Sequence, residues 1–444
     1  MKGVRNYTPN IYRESIKRAA QAVVKPYPEA AVQQMTEKAL KQEDDTGWPR
    51  RIFSGIQPTG SLHLGNYLGA LKKWVALQNG KENLTYCIVD MHSITVPQNP
   101  QYLRENILEI AATLLACGID PVKANIFVQS AVKEHAELCW ILSCLSTMAR
   151  LSHLPQYKEK SLQMKEIPMG LFAYPVLQAA DIMLYKSTHV PVGEDQVQHI
   201  QLAQHLTRVF NTKFGPTFPT CHAIVDNKHA ARIRSLRNPT KKMSKSDVDR
   251  LSAVFLTDEP DVIVEKFKKA VTDFTSDVTY DPDMRLGVSN LITIHSLVTG
   301  QSIKEICEEA FTIDTGMYKM RVADAVVEHL KPLRCKIKEH LSKRRELIYL
   351  LQMGSEKARQ VAQHTMAEVR EKLGLGTENY RANPEILLNL NLPIHNAKQQ
   401  SAVEDKKPES IVNVSPLVKV IEDKNRKKSS NEGGSVNQSE EVKI

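Results

Sequence analysis

Residues Arg51 to Leu71 read RIFSGIQPTGSLHLGNYLGAL. The stretch opens on a short β-type run, Arg51-Ile52-Phe53-Ser54, and breaks at Gly55. A turn-rich segment, Gln57-Pro58-Thr59-Gly60, follows, and an amphipathic helix is expected from about His63. Leu64, Leu68, Leu71 and Val75 recur at spacings of four and three, so one face of that helix packs on a sheet. A strand, a glycine-broken turn and a helix N-terminus together make a site for an anionic phosphate, because unpaired N–H groups and the helix dipole point at it. Gly65 keeps the first turn free of a side chain. His63 and Asn66 lie three apart, on one face, and can both donate to a phosphate. The same glycines also suit an ordinary βα unit. A P-loop is excluded, because Ser61-Leu62 stands where Lys-Ser/Thr is required.

The other strand-like runs set the fold class. Leu84 to Asp90 is an apolar strand ending in a carboxylate, with His92 in the turn beyond it. Pro97 and Pro100 close that loop, and Leu103, Ile107, Ile110 and Leu114 mark a helix that ends at Gly118. Ala124 to Gln129 is a third strand, and residues 134 to about 150 read as a helix with Trp140, Leu142 and Leu145 in the core. Strands alternating with helices predict an α/β fold with a doubly wound parallel sheet, in which ligands gather beyond the carboxyl ends of the strands. From about Asp258 the strands stop. Helices are expected at Leu291–Leu297, Val326–Leu341 (with a kink at Pro332) and Glu346–Leu373.

At 444 residues the chain is long enough for two or three domains. Hydrophobic content of 42% and charged content of 25% are those of a soluble globular protein, and no apolar run approaches a membrane span. The net charge of +9 permits a polyanionic partner without establishing one. Seven scattered cysteines with no metal-ligand spacing argue against structural zinc and for a reducing compartment. Residues 1–48 form a basic leader and linker. Up to Tyr27 they carry Lys2, Arg5, Arg13, Lys17, Arg18 and Lys25 against Glu14 alone, with an amphipathic repeat over 11–23. That pattern is expected of a mitochondrial transit peptide, a plain basic leader being the alternative. Residues 377–444 have the composition of a disordered tail.

Two further stretches carry chemistry. Along Tyr174 to Tyr185, Tyr174, Gln178, Asp181 and Tyr185 form one polar stripe on an otherwise apolar helix, with Pro175 expected in its first turn. A buried Asp181 needs a donor, either an internal Arg or backbone N–H or a group on a small molecule. A loop carrying Lys158, Glu159 and Lys160 precedes this helix, and Gly193-Glu194-Asp195-Gln196 follows it. Lys242-Met243-Ser244-Lys245-Ser246 then places two amines and two hydroxyls in one loop. Two ammonium groups there suit a triphosphate whose charge redistributes as pyrophosphate leaves, though a basic surface loop would look the same. Lys331, Arg334, Lys336, Lys338, Lys343, Arg344 and Arg345 make the helical region basic, suiting either a nucleic-acid backbone or solvent.

His63-Leu64-Gly65-Asn66 followed by Lys242-Met243-Ser244-Lys245-Ser246 resembles the ordered signature pair of class I aminoacyl-tRNA synthetases. With Phe53 to Gly60, Asp90-x-His92, Tyr174 to Tyr185 and Gly193 to Gln196, the chain resembles their tryptophan-specific members of bacterial and mitochondrial type from Arg51 to about Gly376. The resemblance implies activation of L-tryptophan by ATP with Mg2+ and transfer to tRNA(Trp) by a homodimer. The implied setting is the mitochondrial matrix, with the cytoplasm as the alternative address. It implies a Rossmann-type catalytic domain at 49–257 and an α-helical anticodon-binding domain at 258–376. Tryptophan contacts are implied for Phe53, Gly55, His92, Tyr174, Gln178, Asp181 and Gln196, with Asp181 accepting the indole N–H. ATP contacts are implied for Gln57, Pro58, Thr59, Gly65, Asn66, Gly193, Glu194, Asp195, Ile233, Lys242, Met243, Ser244, Lys245 and Ser246. Catalytic roles fall on His63, Asn66, Lys160, Lys242 and Lys245, and no protein side chain is implied as a metal ligand. His63 and Gln178 depart from residues common in bacterial members. A small-molecule nucleotidylyl transferase would not need the basic helical region, and an RNA-binding descendant without catalysis would not need Lys242, Lys245 and Asp181 together.

Overall fold

The computed structural model describes residues 47–80, 82–161, 165–225, 233–245 and 247–376. The expected leader helix and the tail from 377 lie outside the described residues. Strand β1 (Arg51–Ile56) is followed by a single α-turn at Leu64–Asn66, a π-turn at Tyr67–Leu71 and helix α1 (Lys72–Asn79). Strand β2 (Asn83–Ile88), helix α2 (Pro100–Ala116) and strand β3 (Ala124–Val128) come next. Helices α3 (Glu134–Ser143), α4 (Met148–Ser152), α5 (Pro155–Ser161) and α6 (Met169–Leu184) then lead to β4 (His189–Pro191). Helix α7 (Val197–Phe214) and strand β5 (His222–Ile224) complete the sheet.

The five strands run parallel in the order β3-β2-β1-β4-β5. Chain order therefore runs outward from β1 to β3 on one side, then returns to place β4 on the other. That reversal lies between β1 and β4, where open α/β sheets form their ligand crevice beyond the carboxyl ends. Side chains alternate across the sheet because the strand period is two. Ile52, Leu84, Tyr86, Ile88 and Ile126 enter one core, while Phe53, Cys87, Val89 and Phe127 enter the other. Both faces are buried, as a sheet wound on both sides requires.

Beyond the sheet stand α8 (Pro260–Lys268), α9 (Leu286–Thr299), α10 (Ile303–Glu309), α11 (Thr315–Ser342) and α12 (Arg344–Leu373). Helix α11 runs on through Pro332. Its apolar face joins the same core as Ile52 and Leu64, so packing is continuous across residue 257. Helix α12 returns to the sheet and lies against β3, the outermost strand on its side. A methyl group at Gly354 would sit 1.8 Å from the carbonyl oxygen of Ile126, so only glycine admits this approach. Asn125 Nδ2 donates to Gly354 O at 3.0 Å across the contact.

Several expectations are corrected here. Trp140 is 71% exposed, because α3 turns Leu138, Ile141 and Leu142 inward and leaves Trp140 on the opposite face. The expected helix to residue 150 breaks after Ser143 and resumes at Met148, where Thr147 Oγ1 caps the new start. Lys158 to Lys160 sit on the short helix α5, not in a loop. Helix α6 begins at Met169 after an extended Pro168, so Pro175 lies inside it and the Leu171 carbonyl loses its usual donor. The basic helical surface is partly neutralised: Lys338 pairs with Glu259, Lys343 with Glu339, and Arg344 with Glu105. Arg334 is buried and donates to Asp258 O.

Candidate active site

At the carboxyl end of β1 the chain turns through Gln57, Pro58 and Thr59, with Thr59 N donating to Gln57 O. The expected helix start at His63 is present, but its two polar residues first serve each other. Asn66 N donates to His63 Nδ1, and His63 N donates to Asn66 Oδ1, both at 3.2 Å. This reciprocal cap satisfies two helix N-terminal donors. Because Nδ1 accepts, the His63 proton resides on Nε2. Burial, then Lys245 and Lys242, push the ring down to about 3, so it works as a neutral donor. A side chain on Gly65 would meet His63 Cε1 at 3.0 Å, so this glycine leaves room for the imidazole as well as for a nucleotide.

The lysine loop is rooted on the sheet side by an antiparallel bridge between Arg234 and Lys242. Ile233 and Met243 are buried there, with Met243 N donating to Ile233 O. The side-chain amide of Asn290, on α9, brackets Arg234 by bonding both its N and its O. Downstream, Leu64 N donates to Val254 O and Leu256 N to Leu62 O, so the chain after the loop returns to the His63 turn. Lys245 Nζ donates to Gly60 O at 3.1 Å. Burial lowers its ammonium to about 8, with Glu109 opposing the shift. Glu109 also accepts from Ser61 Oγ beside the turn. Lys242 is exposed and Ser244 half-buried at the same loop, whereas Ser246 lies outside the described residues. The backbone of Lys160 is on α5, and its side chain lies outside them too.

The second half of the site is built on α6. Asp181 is 1% exposed, and among the described residues its donors are neither an Arg nor a backbone N–H. Gln129 Nε2 lies 2.7 and 2.9 Å from its two oxygens, His92 Nε2 lies 2.9 Å from Oδ2, and His135 Nδ1 lies 2.6 Å from Oδ1. Burial alone would raise this carboxyl, but His135 and then His92 outweigh it and hold it at about 2. Phe53 is buried and stacks on Tyr185 at 5.6 Å, and Tyr174 meets His92 edge-on. Gly55 is exposed at the end of β1.

A polar chain extends the α6 half to the segment after β4. Tyr174 OH donates to Gln156 Oε1, and Gln156 Nε2 reaches Asp195 O and Oδ2. Gln196 Nε2 donates to Asp195 Oδ2, and Gln178 Nε2 to Gln196 Oε1. His199 Nδ1 contacts both Gln178 and Gln196, and its ring is buried, not on a solvated face. Gly193, Glu194 and Asp195 form the exposed lip after β4. Gln129, His135, Gln156 and His199 are the participants that sequence reading missed as site residues. Each lies far along the chain from the residue it bonds or inside a segment without a signature.

With this geometry in place, comparison with known proteins is decisive. Residues 46–331 match the family of class I tRNA synthetases specific for W and Y. The tryptophan--tRNA ligase of Caldanaerobacter subterraneus is 45% identical over 326 residues, covering 73% of this chain and 98% of the relative. The chain belongs to the tryptophan--tRNA ligase family of class I synthetases. The Wolinella succinogenes ligase is similarly close, at 46% over 327 residues and 99% of its length. The tryptophanyl-tRNA synthetase of Campylobacter jejuni, solved with ADP and tryptophan, superposes with a TM-score of 0.66 at 34% identity. That match covers 73% of this chain and 100% of the other. The synthetase fold thus accounts for the parallel sheet, the crevice at its reversal and the helices beyond it.

Proposed function

We propose that this synthetase activates L-tryptophan with ATP and transfers the tryptophanyl group to tRNA(Trp), serving mitochondrial translation as a homodimer. One observation carries the chemistry. A buried, ionised acceptor and a lysine loop flank neighbouring strand ends, Asp181 through His92 beyond β2 and Lys245 through Gly60 beyond β1. In this reading Asp181 receives the indole N–H. The tryptophan carboxylate attacks the α-phosphorus of ATP in line, a new P–O bond forms, and the bond to the bridging oxygen of pyrophosphate breaks. No proton needs to move. The neutral His63 donates to a phosphate oxygen, and Lys242 and Lys245 balance the charge that shifts onto pyrophosphate, so catalysis is positioning plus electrostatics. Mg2+ arrives on ATP, held by phosphate oxygens.

Two features support the setting. The leader has the composition of an import signal, and the relatives are bacterial. Exposed Trp140 and Met148, on α3 and α4, supply apolar surface for a second copy of the chain. The decisive experiment is ATP–pyrophosphate exchange with each standard amino acid in turn. Tryptophan alone should support it, and exchange driven by tyrosine, or by none, overturns the proposal. A reporter carrying residues 1–48 should enter mitochondria, and sedimentation should give twice the 50.0 kDa chain mass. A cytosolic reporter or a monomer would remove those parts alone.

A further inference from the structure

Asp181 has about four lone-pair sites on its carboxylate, and three side chains already make four contacts with it, two of them from the single Nε2 of Gln129. His135 differs from the other two. Its ring is 0% exposed, so it touches no ligand, and its far side is bonded as well, with Nε2 2.8 Å from Tyr185 OH. The direction of this relay follows from charge. An ionised carboxylate offers lone pairs only, so Nδ1 carries a proton toward Asp181. Burial, with Cys87, Asp181 and Glu134 nearby, pushes the Tyr185 phenol far above its usual range, so the hydroxyl keeps its proton and bonds Nε2, as donor to a neutral ring or acceptor from a charged one. Phe127 stacks on the imidazole at 5.8 Å and limits its rotation.

We propose that His135 is a positioning residue for substrate selection. Held by Tyr185, it occupies one lone pair of Asp181 Oδ1 and fixes the carboxylate plane, so that the indole N–H can take one of the two positions that Gln129 Nε2 shares. This rests on Asp181 being the indole acceptor. An Asp side chain turns broadly about its last torsion, and a hydrogen bond weakens as its angle opens, so an unfixed carboxylate would accept less selectively.

The test compares His135→Asn with His135→Gln in ATP–pyrophosphate exchange. The substrates are tryptophan and its benzothiophene analogue, in which sulfur replaces the indole N–H. Asn places an amide N–H near the Nδ1 position and keeps the bond to Asp181. Gln reaches toward Tyr185 and drops it. His135→Gln should raise KM for tryptophan about tenfold to a hundredfold and erode the preference over the analogue by the same factor. KM for ATP should stay unchanged, and His135→Asn should remain within about threefold of wild type. Equal behaviour of the two variants, or a loss shared by ATP, would reduce His135 to a packing role and overturn the proposal. Should neither variant fold, 15N spectra of the wild-type imidazoles decide: an Nε2–H tautomer at His135 sinks the idea. Asp181→Ala, which leaves no acceptor oxygen, tests the reading beneath. If that variant keeps the preference for tryptophan, Asp181 is not the acceptor. If it loses the preference while His135→Gln keeps it, only His135 has been misassigned.

Discussion

The two ends of the crevice are built in opposite ways. Around Asp181 the polar groups are buried and bonded to one another, with His135, Gln129 and His92 closing on one carboxylate and Tyr185 holding His135. At the His63 turn the contacts are ones a ligand can replace: a lysine resting on a backbone carbonyl, and two capping side chains with donors to spare. The difference follows from what each end must do. Rejecting a near-isostere depends on a buried acceptor that suffers when left unpaired, so that acceptor has to be fixed in advance. Handling a triphosphate depends on charge that counts most while the phosphoryl group moves, so bonds there must be exchangeable.

Breaking the rigid end should have the largest effect. Asp181→Ala leaves His135, His92 and Gln129 without their acceptor. It should weaken tryptophan binding by roughly 2–5 kcal/mol while ATP affinity holds, as calorimetry with each ligand would reveal. Wild-type tryptophan affinity in that variant would erase the contrast. Lys245→Ala should act on the exchangeable end alone, slowing single-turnover adenylate formation by about a hundredfold to a thousandfold with little change in tryptophan affinity. An unchanged rate would make the loop a surface patch.

Subtler changes sharpen the comparison through pH. Burial lowers the Lys245 ammonium to about 8, so it is charged below that pH and loses its charge above. The kcat/KM for ATP reports the free enzyme and should therefore fall as pH rises through about 8. Lys245→Arg should remove the falling limb, and a limb that persists belongs to another group. The smallest effect is expected from Glu109→Gln. It takes away a carboxylate that favours the charged lysine, so the same limb should move to lower pH. No movement would mean that Glu109 serves only Ser61.

How much of this was legible depended on whether the signal was local. Strands β1 to β3 are apolar runs between turn residues, and the signature residues His63, Asn66, Lys242 and Lys245 announce themselves by spacing. The π-turn at Tyr67–Leu71 was not legible, because leucines at spacings of three and four suit a regular helix equally well. Trp140 was misread because three inward neighbours within one turn imply a wider apolar face than α3 possesses. Asp181 stood out as a lone acid and His92 by its place beyond a strand end, whereas the other two donors did not. Gln129 and His135 are 52 and 46 residues away, and only the sheet brings them beneath α6. Lys158 to Lys160 looked like loop because a seven-residue polar helix has too few apolar positions to show a period.

Gly354 has a consequence for chain truncation. Through it α12 lies against the outermost strand of its side, whose peptide groups would otherwise be available to pair with another chain. A product of premature termination before this glycine would retain every residue of the crevice from Phe53 to Lys245, and so would look competent by its inventory. Its failing would be colloidal: an uncovered ribbon edge ready to recruit neighbours, with the protein found in the insoluble fraction rather than in a soluble, inactive one.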